Sequence, residues 1–257
     1  MLFVSNNFIE GDFVKKQELL KVQRTHDAFY LDENRYNNPK EMFKFVAANA
    51  FSAEEMSSEM SVCDFGCAAG EFLYYLNTIL PNATLDGVDV MSSLLEKCAK
   101  FVPSAKLEEG SVLDVTCKEE SQYDKSFLIG VHSIFDEFET CFSNLVKWTK
   151  PGGSVYIVGM FNPFPVDVLI KYKESKNYES DVHESGWNIF SQQSVSDFLL
   201  KNSKVKSVDF TKFDITLDLP RQEDPLRSWT LRDYQEKRWI MNGLCILQPH
   251  YLLEIKL

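Results

Sequence analysis

The chain has 257 residues, 44% hydrophobic and 25% charged, which suits one large folded α/β domain or one domain with a modest lid and excludes extensive disorder. With 27 Lys and Arg against 38 Asp and Glu, the formal net charge of −11 argues against a broad electrostatic grip on nucleic acid or anionic membrane, though not against a local basic pocket. No apolar run approaches the roughly 18 residues that span a bilayer, and the opening Met1-Leu2-Phe3-Val4 lacks the basic start and long apolar stretch of a signal peptide, so a cytoplasmic location and no membrane partner are expected.

Along the chain, Phe13, Leu19, Leu20, Val22 and Phe29 recur at roughly helical spacing over residues 12–31. Asn37-Asn38-Pro39 then breaks the chain, and Pro39 suits the first turn of a helix reaching about Phe51. Residues 1–57 are therefore expected to form a helical N-terminal cover, with the main domain over 58–257. From Ser61 onward, short β-branched and aromatic runs at 61–65, 85–90, 105–108, 126–131 and 154–158 alternate with amphipathic stretches at 69–80, 92–101 and 136–149. Strands alternating with helices imply a parallel sheet with helices on both faces. Lys150-Pro151-Gly152-Gly153 predicts a sharp turn before the fifth strand. Beyond it, 160–188 and 220–242 read as insertions, Ser191 caps a helix to about Lys201, and 205–217 and 245–257 read as two further, antiparallel strands. Six scattered cysteines, with no Cys-x-x-Cys pair and no neighbouring His cluster, point to free thiols and to no metal.

The decisive segment is Val62-Cys63-Asp64-Phe65-Gly66-Cys67-Ala68-Ala69-Gly70-Glu71-Phe72: an apolar strand with an acid near its end, a turn of small residues, then a helix. Small side chains let a ligand approach the backbone, whose free N–H groups and helix N-terminus supply donors and partial positive charge. Asp89 ends the next strand, roughly 20 residues past the turn, where a carboxylate can accept from a ribose diol. The bland alternatives are a tight strand-to-helix turn and a helix cap. Both features together point to an adenosine-containing ligand. Dinucleotide sites usually carry G-x-G-x-x-G with a pyrophosphate at the helix N-terminus. Here the small residues fall at 66, 68 and 70, and Asp64 would repel a pyrophosphate while tolerating a cationic amino acid moiety, which favours S-adenosylmethionine.

On these residues the chain resembles the class I S-adenosylmethionine-dependent methyltransferases, over roughly residues 60–160. The resemblance implies a Rossmann-like α/β fold, a seven-stranded, mostly parallel sheet with helices on both faces and an antiparallel last strand. It implies that Asp64, Gly66, Cys67, Ala68 and Gly70 lie beside the methionine portion, that Asp89 takes the ribose hydroxyls, and that Val90 and Met91 flank the adenine. In Gly110-Ser111-Val112-Leu113-Asp114, Ser stands where the family often has Asp, so either Ser111 or Asp114 meets the adenine amino group, with Val112 beside it. Ala68 replaces the central Gly of the loop. Gly130 and Val131 match the end of the family's fourth strand, and they too are expected at the cofactor.

Methyl transfer from a sulfonium is an in-line displacement, and a protonated oxygen acceptor needs a base. His132, just after the fourth strand, is the candidate base, the alternative being a hydrogen-bonded structural histidine. Tyr30, Tyr36, Phe161, Asn162, His183 and Trp187 are the candidate acceptor contacts, against plain core or lid packing. Arg221, Arg227, Arg232 and Arg238 could recognise an acidic acceptor or form a solvated face. The expected partner is a small-molecule acceptor, a metabolite or a sugar or polysaccharide precursor methylated on O or N, and not nucleic acid. The competing readings are a nicotinamide-dependent oxidoreductase and a nucleoside-binding protein of the same fold without catalysis.

Overall fold

A computed structural model describes residues 30–257 except 33, 174, 176–178 and 180. The helical segment expected over 12–31 lies outside the described residues but for its last two positions. Helix α1 (Glu41–Ala50) leads into five parallel strands with helices between them: β1 (Ser61–Phe65), α2 (Glu71–Ile79), β2 (Thr84–Asp89), α3 (Ser92–Phe101), β3 (Lys106–Glu109), β4 (Tyr123–Ile129), α4 (Glu139–Trp148) and β5 (Thr149–Asn162). Two short antiparallel strands, β6 (Lys171–Tyr172) and β7 (Glu184–Ser185), fill the first insertion, and β8 (Phe190–Ser191) pairs with the end of β5. Then follow α5 (Gln192–Leu199), β9 (Ser207–Lys212), the hairpin β10 (Trp229–Arg232) and β11 (Arg238–Met241), and β12 (His250–Lys256).

The main sheet has eight strands in the order β3-β2-β1-β4-β5-β12-β9, with β8 off that path. β12 runs antiparallel to both neighbours. The expected Rossmann-like architecture is thus present, widened by one short strand. Strand periodicity sorts the core into two layers. Cys63 and Phe65 of β1 pack under α4 and α5 with Phe142, Leu145, Trp148, Val195 and Leu199. Val62 turns the other way, toward Phe43, Val46 and Ala47 of α1, Phe72 and Leu76 of α2, and Cys98 of α3.

Two local expectations change. The Lys150–Gly153 stretch is not a turn ahead of the strand but its irregular first part: Tyr123 pairs with Thr149, the register shifts, and Lys125 pairs with Ser154. The bulged segment receives the end of the last strand, Gly152 N donating to the Leu257 carbonyl at 2.7 Å and Leu257 N to the Gly153 carbonyl at 3.0 Å. The fourth strand starts earlier and ends at Ile129, because Gly130 takes a left-handed φ of +72° and turns the chain out of the sheet. Ser191 caps α5 as expected, its Oγ accepting from Ser194 N at 2.9 Å.

Candidate functional site

The parallel strands β1, β2, β3 and β4 all end on one edge of the sheet, and the chain leaving each contributes to a cavity of about 770 Å³ above that edge. Its volume falls within the range of about 300–1,000 Å³ usual for small-molecule sites. The turn after β1 makes one wall. Gly66 N and Cys67 N both donate to the Val88 carbonyl, at 2.7 and 3.0 Å, which folds the turn against β2. Gly66 has φ +72° and a Cβ there would stand 2.4 Å from Val131 Cγ2. Gly70 has φ +79° and a Cβ there would meet Cys98 Sγ at 2.1 Å. Glycine is required at both positions by conformation and by contact. Ala68 stands at φ +48°, its N–H donating to Asp89 Oδ2 at 2.9 Å. The other Asp89 oxygen accepts from Met91 N at 2.9 Å, so this carboxylate is held rigidly at the cavity wall.

Asp64 is 3% exposed and lines the cavity, and its Oδ1 is a buried oxygen with no hydrogen-bond donor among the described residues. Burial, and then the charge of Asp89, push this carboxyl well above the ordinary range. An isolated buried carboxylate is costly, and a cationic group beside it would remove that cost. The site therefore fits an amino acid ammonium at Asp64 and a diol at Asp89, groups that S-adenosylmethionine carries on its methionine and its ribose. Opposite, Glu71 opens α2 with its carboxylate accepting from Arg35 N at 2.8 Å and lying 3.6 Å from Lys40 Nζ, a favourable charge for a helix N-terminus.

Of the residues assigned to the cofactor by the sequence, Asp64, Gly66, Cys67, Ala68, Asp89, Val90, Met91, Ser111, Val112, Gly130 and Val131 line this cavity. Gly70 does not; it stands behind the turn against Cys98. Between the two candidates after β3, Ser111 lines the cavity, whereas Asp114 Oδ1 caps its own turn, accepting from Thr116 N at 2.9 Å.

At the acceptor end the correspondence is poorer. Tyr30 lines the cavity. Tyr36 is buried outside it, stacked on Phe101 with centroids 3.7 Å apart and donating its hydroxyl to the Ala69 carbonyl at 2.7 Å. Asn162 ties its amide to the Val166 carbonyl at 2.8 Å, and His183 is exposed with Nδ1 at 2.9 Å from the Asp181 carbonyl; neither lines this cavity. Trp187, at φ +59°, lines a smaller neighbouring cavity of about 220 Å³.

His132, the candidate base, lies away from both cavities. It begins a one-turn 3-10 helix that swings its ring under the sheet edge, where it is 0% exposed and stacks on Phe161 with centroids 4.6 Å apart. It lines neither cavity, Nδ1 has no partner among the described residues, and burial pulls its pKa down to about 4. The ring is sealed from both cavities and packs on Phe161, a placement that does not favour it as the base.

The rest of the cavity wall includes residues the sequence did not single out: Phe213, Ile215, Leu217, Leu219, Gln222, Ser228, Ile240 and His250. Of the four late arginines, only Arg227 lines the cavity. Arg232 and Arg238 pair with Asp218, and Arg221 lies over the Trp229 ring at 5.4 Å. The signal in the sequence was weak, a histidine after Pro249 at the head of the last apolar strand.

Comparison with known proteins agrees with this geometry. Residues 63–155, the stretch from β1 into β5, match the family model described as a methyltransferase domain. Malonyl-[acyl-carrier protein] O-methyltransferase of Priestia megaterium is 24% identical over 144 residues, covering 55% of this chain. The chain spans about half, 51%, of the length of that curated relative. Among solved structures, a chain from the complex of the Haloferax volcanii Trm112 methyltransferase activator with its methyltransferase superposes with TM-score 0.59 at 14% identity, covering 92% of this chain and 99% of that one. A SAM-dependent methyltransferase from Aquifex aeolicus gives 0.52 at 13% identity, covering 91% and 98%. At such identities the structural likeness speaks for the fold. Matched domain, strand order and loop together agree with the resemblance to the class I S-adenosylmethionine-dependent methyltransferases, the domain match covering residues 63–155 and the structural likeness the fold.

Proposed function

We propose that the protein transfers a methyl group from S-adenosylmethionine to an O or N atom of a small molecule. The observation that carries this reading is the orphaned, buried Asp64 oxygen beside the 66–70 turn, in one cavity with Asp89. Bound there, S-adenosylmethionine supplies an electrophilic methyl on a sulfonium. Asp64 would hold the ammonium, Asp89 the ribose hydroxyls, Val90, Met91, Ser111 and Val112 the adenine, and Gly130 and Val131 the floor beside the methionine end. The apolar wall of Phe213, Ile215, Leu217 and Leu219 would exclude water from the reacting atoms. Residues 1–57 would act as the cover, since Pro39, Lys40, Met42 and Phe43 already line the cavity. The net charge of −11 favours a small acceptor over nucleic acid. The acid at Asp64 speaks against a pyrophosphate-bearing nicotinamide cofactor.

Arg227 on the cavity wall supports a second reading, in which the acceptor is a carboxylate borne on a carrier protein, after the relative named for malonyl-[acyl-carrier protein]. Incubation with methyl-labelled S-adenosylmethionine and an extract of the expressing cells, split into small-molecule and protein fractions, separates the two. Label is expected in the small-molecule fraction, and Asp89→Ala should weaken cofactor binding at least tenfold, a loss of about 1.4 kcal/mol or more. Label confined to a protein fraction would replace the small-molecule reading by the carrier-bound one. Undiminished affinity in Asp89→Ala would remove the ribose assignment.

A further inference from the structure

His250 heads β12 and pairs in register with Met160 of β5. Strand alternation puts its side chain on the face of Leu252, the face that carries Val158 and Ile129 into the main cavity. It also lines the smaller cavity, together with Ser133, Trp187, Arg227, Ser228 and Gln248, so the imidazole stands where the two cavities share a wall. The ring is held in one orientation and one tautomer. Nδ1 lies 3.0 Å from the Gln248 carbonyl oxygen, which can only accept, so Nδ1 carries the hydrogen and Nε2 is left with a bare lone pair. Nε2 has no hydrogen-bond partner among the described residues. The platform beneath is fixed in turn: Gln248 is buried, its N–H donates to the Ile240 carbonyl at 2.8 Å, and its Oε1 accepts from Ser228 Oγ at 2.6 Å.

We propose that His250 is the proton acceptor of the reaction, its Nε2 receiving the hydrogen of a hydroxyl or amine acceptor seated in the smaller cavity. This rests on the methyl-transfer reading and sharpens it, because an acceptor that is already a carboxylate has no proton to give. As the acceptor O or N bonds to the methyl carbon, the carbon–sulfur bond breaks with its electron pair on sulfur, and the acceptor proton moves to Nε2. Burial lowers the pKa of the ring to about 4, against the opposing pull of the Gln248 carbonyl, so at neutral pH the imidazole waits unprotonated and afterwards gives the proton up to water.

The test uses the full chain, methyl-labelled S-adenosylmethionine and the small-molecule extract of the expressing cells. His250→Gln is expected to bind S-adenosylmethionine within about twofold of the parent, which also reports its folding, while turnover falls by about 10²–10⁴. Imidazole added to His250→Ala should restore part of that turnover, which it would not do for a merely structural ring. Independently of activity, ¹⁵N spectra of the imidazole rings should show His250 protonated on Nδ1 and bare on Nε2. Turnover of His250→Gln within twofold of the parent, no rescue by imidazole, or a hydrogen on Nε2 would each overturn the role of His250. Failure of the parent chain to bind S-adenosylmethionine or to label the extract would instead overturn the reading on which it rests.

Discussion

Asp64 concentrates the energetics of the site in one carboxyl group. Its pKa is raised by burial and then by Asp89, so between its unfolded value near 3.8 and its folded value the native state binds more proton than the unfolded state. Stability contributed at this position therefore falls as pH rises through that window. Asp64→Asn keeps the shape and removes the titration. The variant is expected to be more stable than the parent at pH 8, the gap shrinking toward pH 4 by at most about 1.4 kcal/mol per pH unit. Urea unfolding midpoints across that range check it, and a gap independent of pH would contradict it. Asp64 and Asp89 were legible in the sequence because the first stands near the end of a strand that runs into a turn of small residues and the second ends the next strand. The two histidines at the sheet edge were not separable in the same way. Which way His132 turns is decided by the 3-10 turn after β4, and where His250 points by the register of β12 on β5. Neither is written in local spacing.

Among the elements, α1 is tied to the sheet by a buried cation in addition to its apolar packing. Lys125 of β4 reaches across to donate to the Ala50 carbonyl at the C-terminal end of α1, at 2.5 Å, and pairs with Glu55 at 2.8 Å. Its ammonium also lies 5.0 Å from the Phe51 ring centre. A cation at a helix C-terminus complements the helix dipole, and removing it leaves the Ala50 carbonyl only the longer 3.4 Å bond donated by the Tyr156 hydroxyl. Lys125→Met should cost about 1–3 kcal/mol, and at roughly 2–4 °C per kcal/mol the melting temperature should fall by several degrees. Because α1 carries Met42 and Phe43 on the cavity wall, cofactor affinity should fall with it. A thermal melt and a titration check both; an unchanged melting temperature would contradict the fastening. None of this was visible in sequence, where Lys125 reads as a polar residue near the start of a strand. By contrast α3 spans residues 92–101 as its amphipathic pattern predicts, and β1 spans 61–65. Helix and strand periods survive inspection one segment at a time, whereas partners distant in sequence do not.

Over the whole molecule, the alternation of strands and helices sufficed for the parallel sheet and its two-sided cover, whereas the antiparallel strand β12 was expected from the tail beyond it and from the family resemblance. The cavity wall outside the cofactor half escaped because it is assembled from α1, the stretch after β9 and the head of β12, segments brought together only when β12 inserts between β5 and β9. The cofactor half comes instead from consecutive strand ends, so its residues follow one another in the sequence as they do around the cavity. The central claim is that this cavity holds a sulfonium nucleoside rather than a diphosphate cofactor. Calorimetric titration of the full chain with S-adenosylmethionine, and separately with NAD, tests it most directly. Saturable binding of S-adenosylmethionine with no heat from NAD is the predicted result; binding of NAD with none for S-adenosylmethionine would contradict the account.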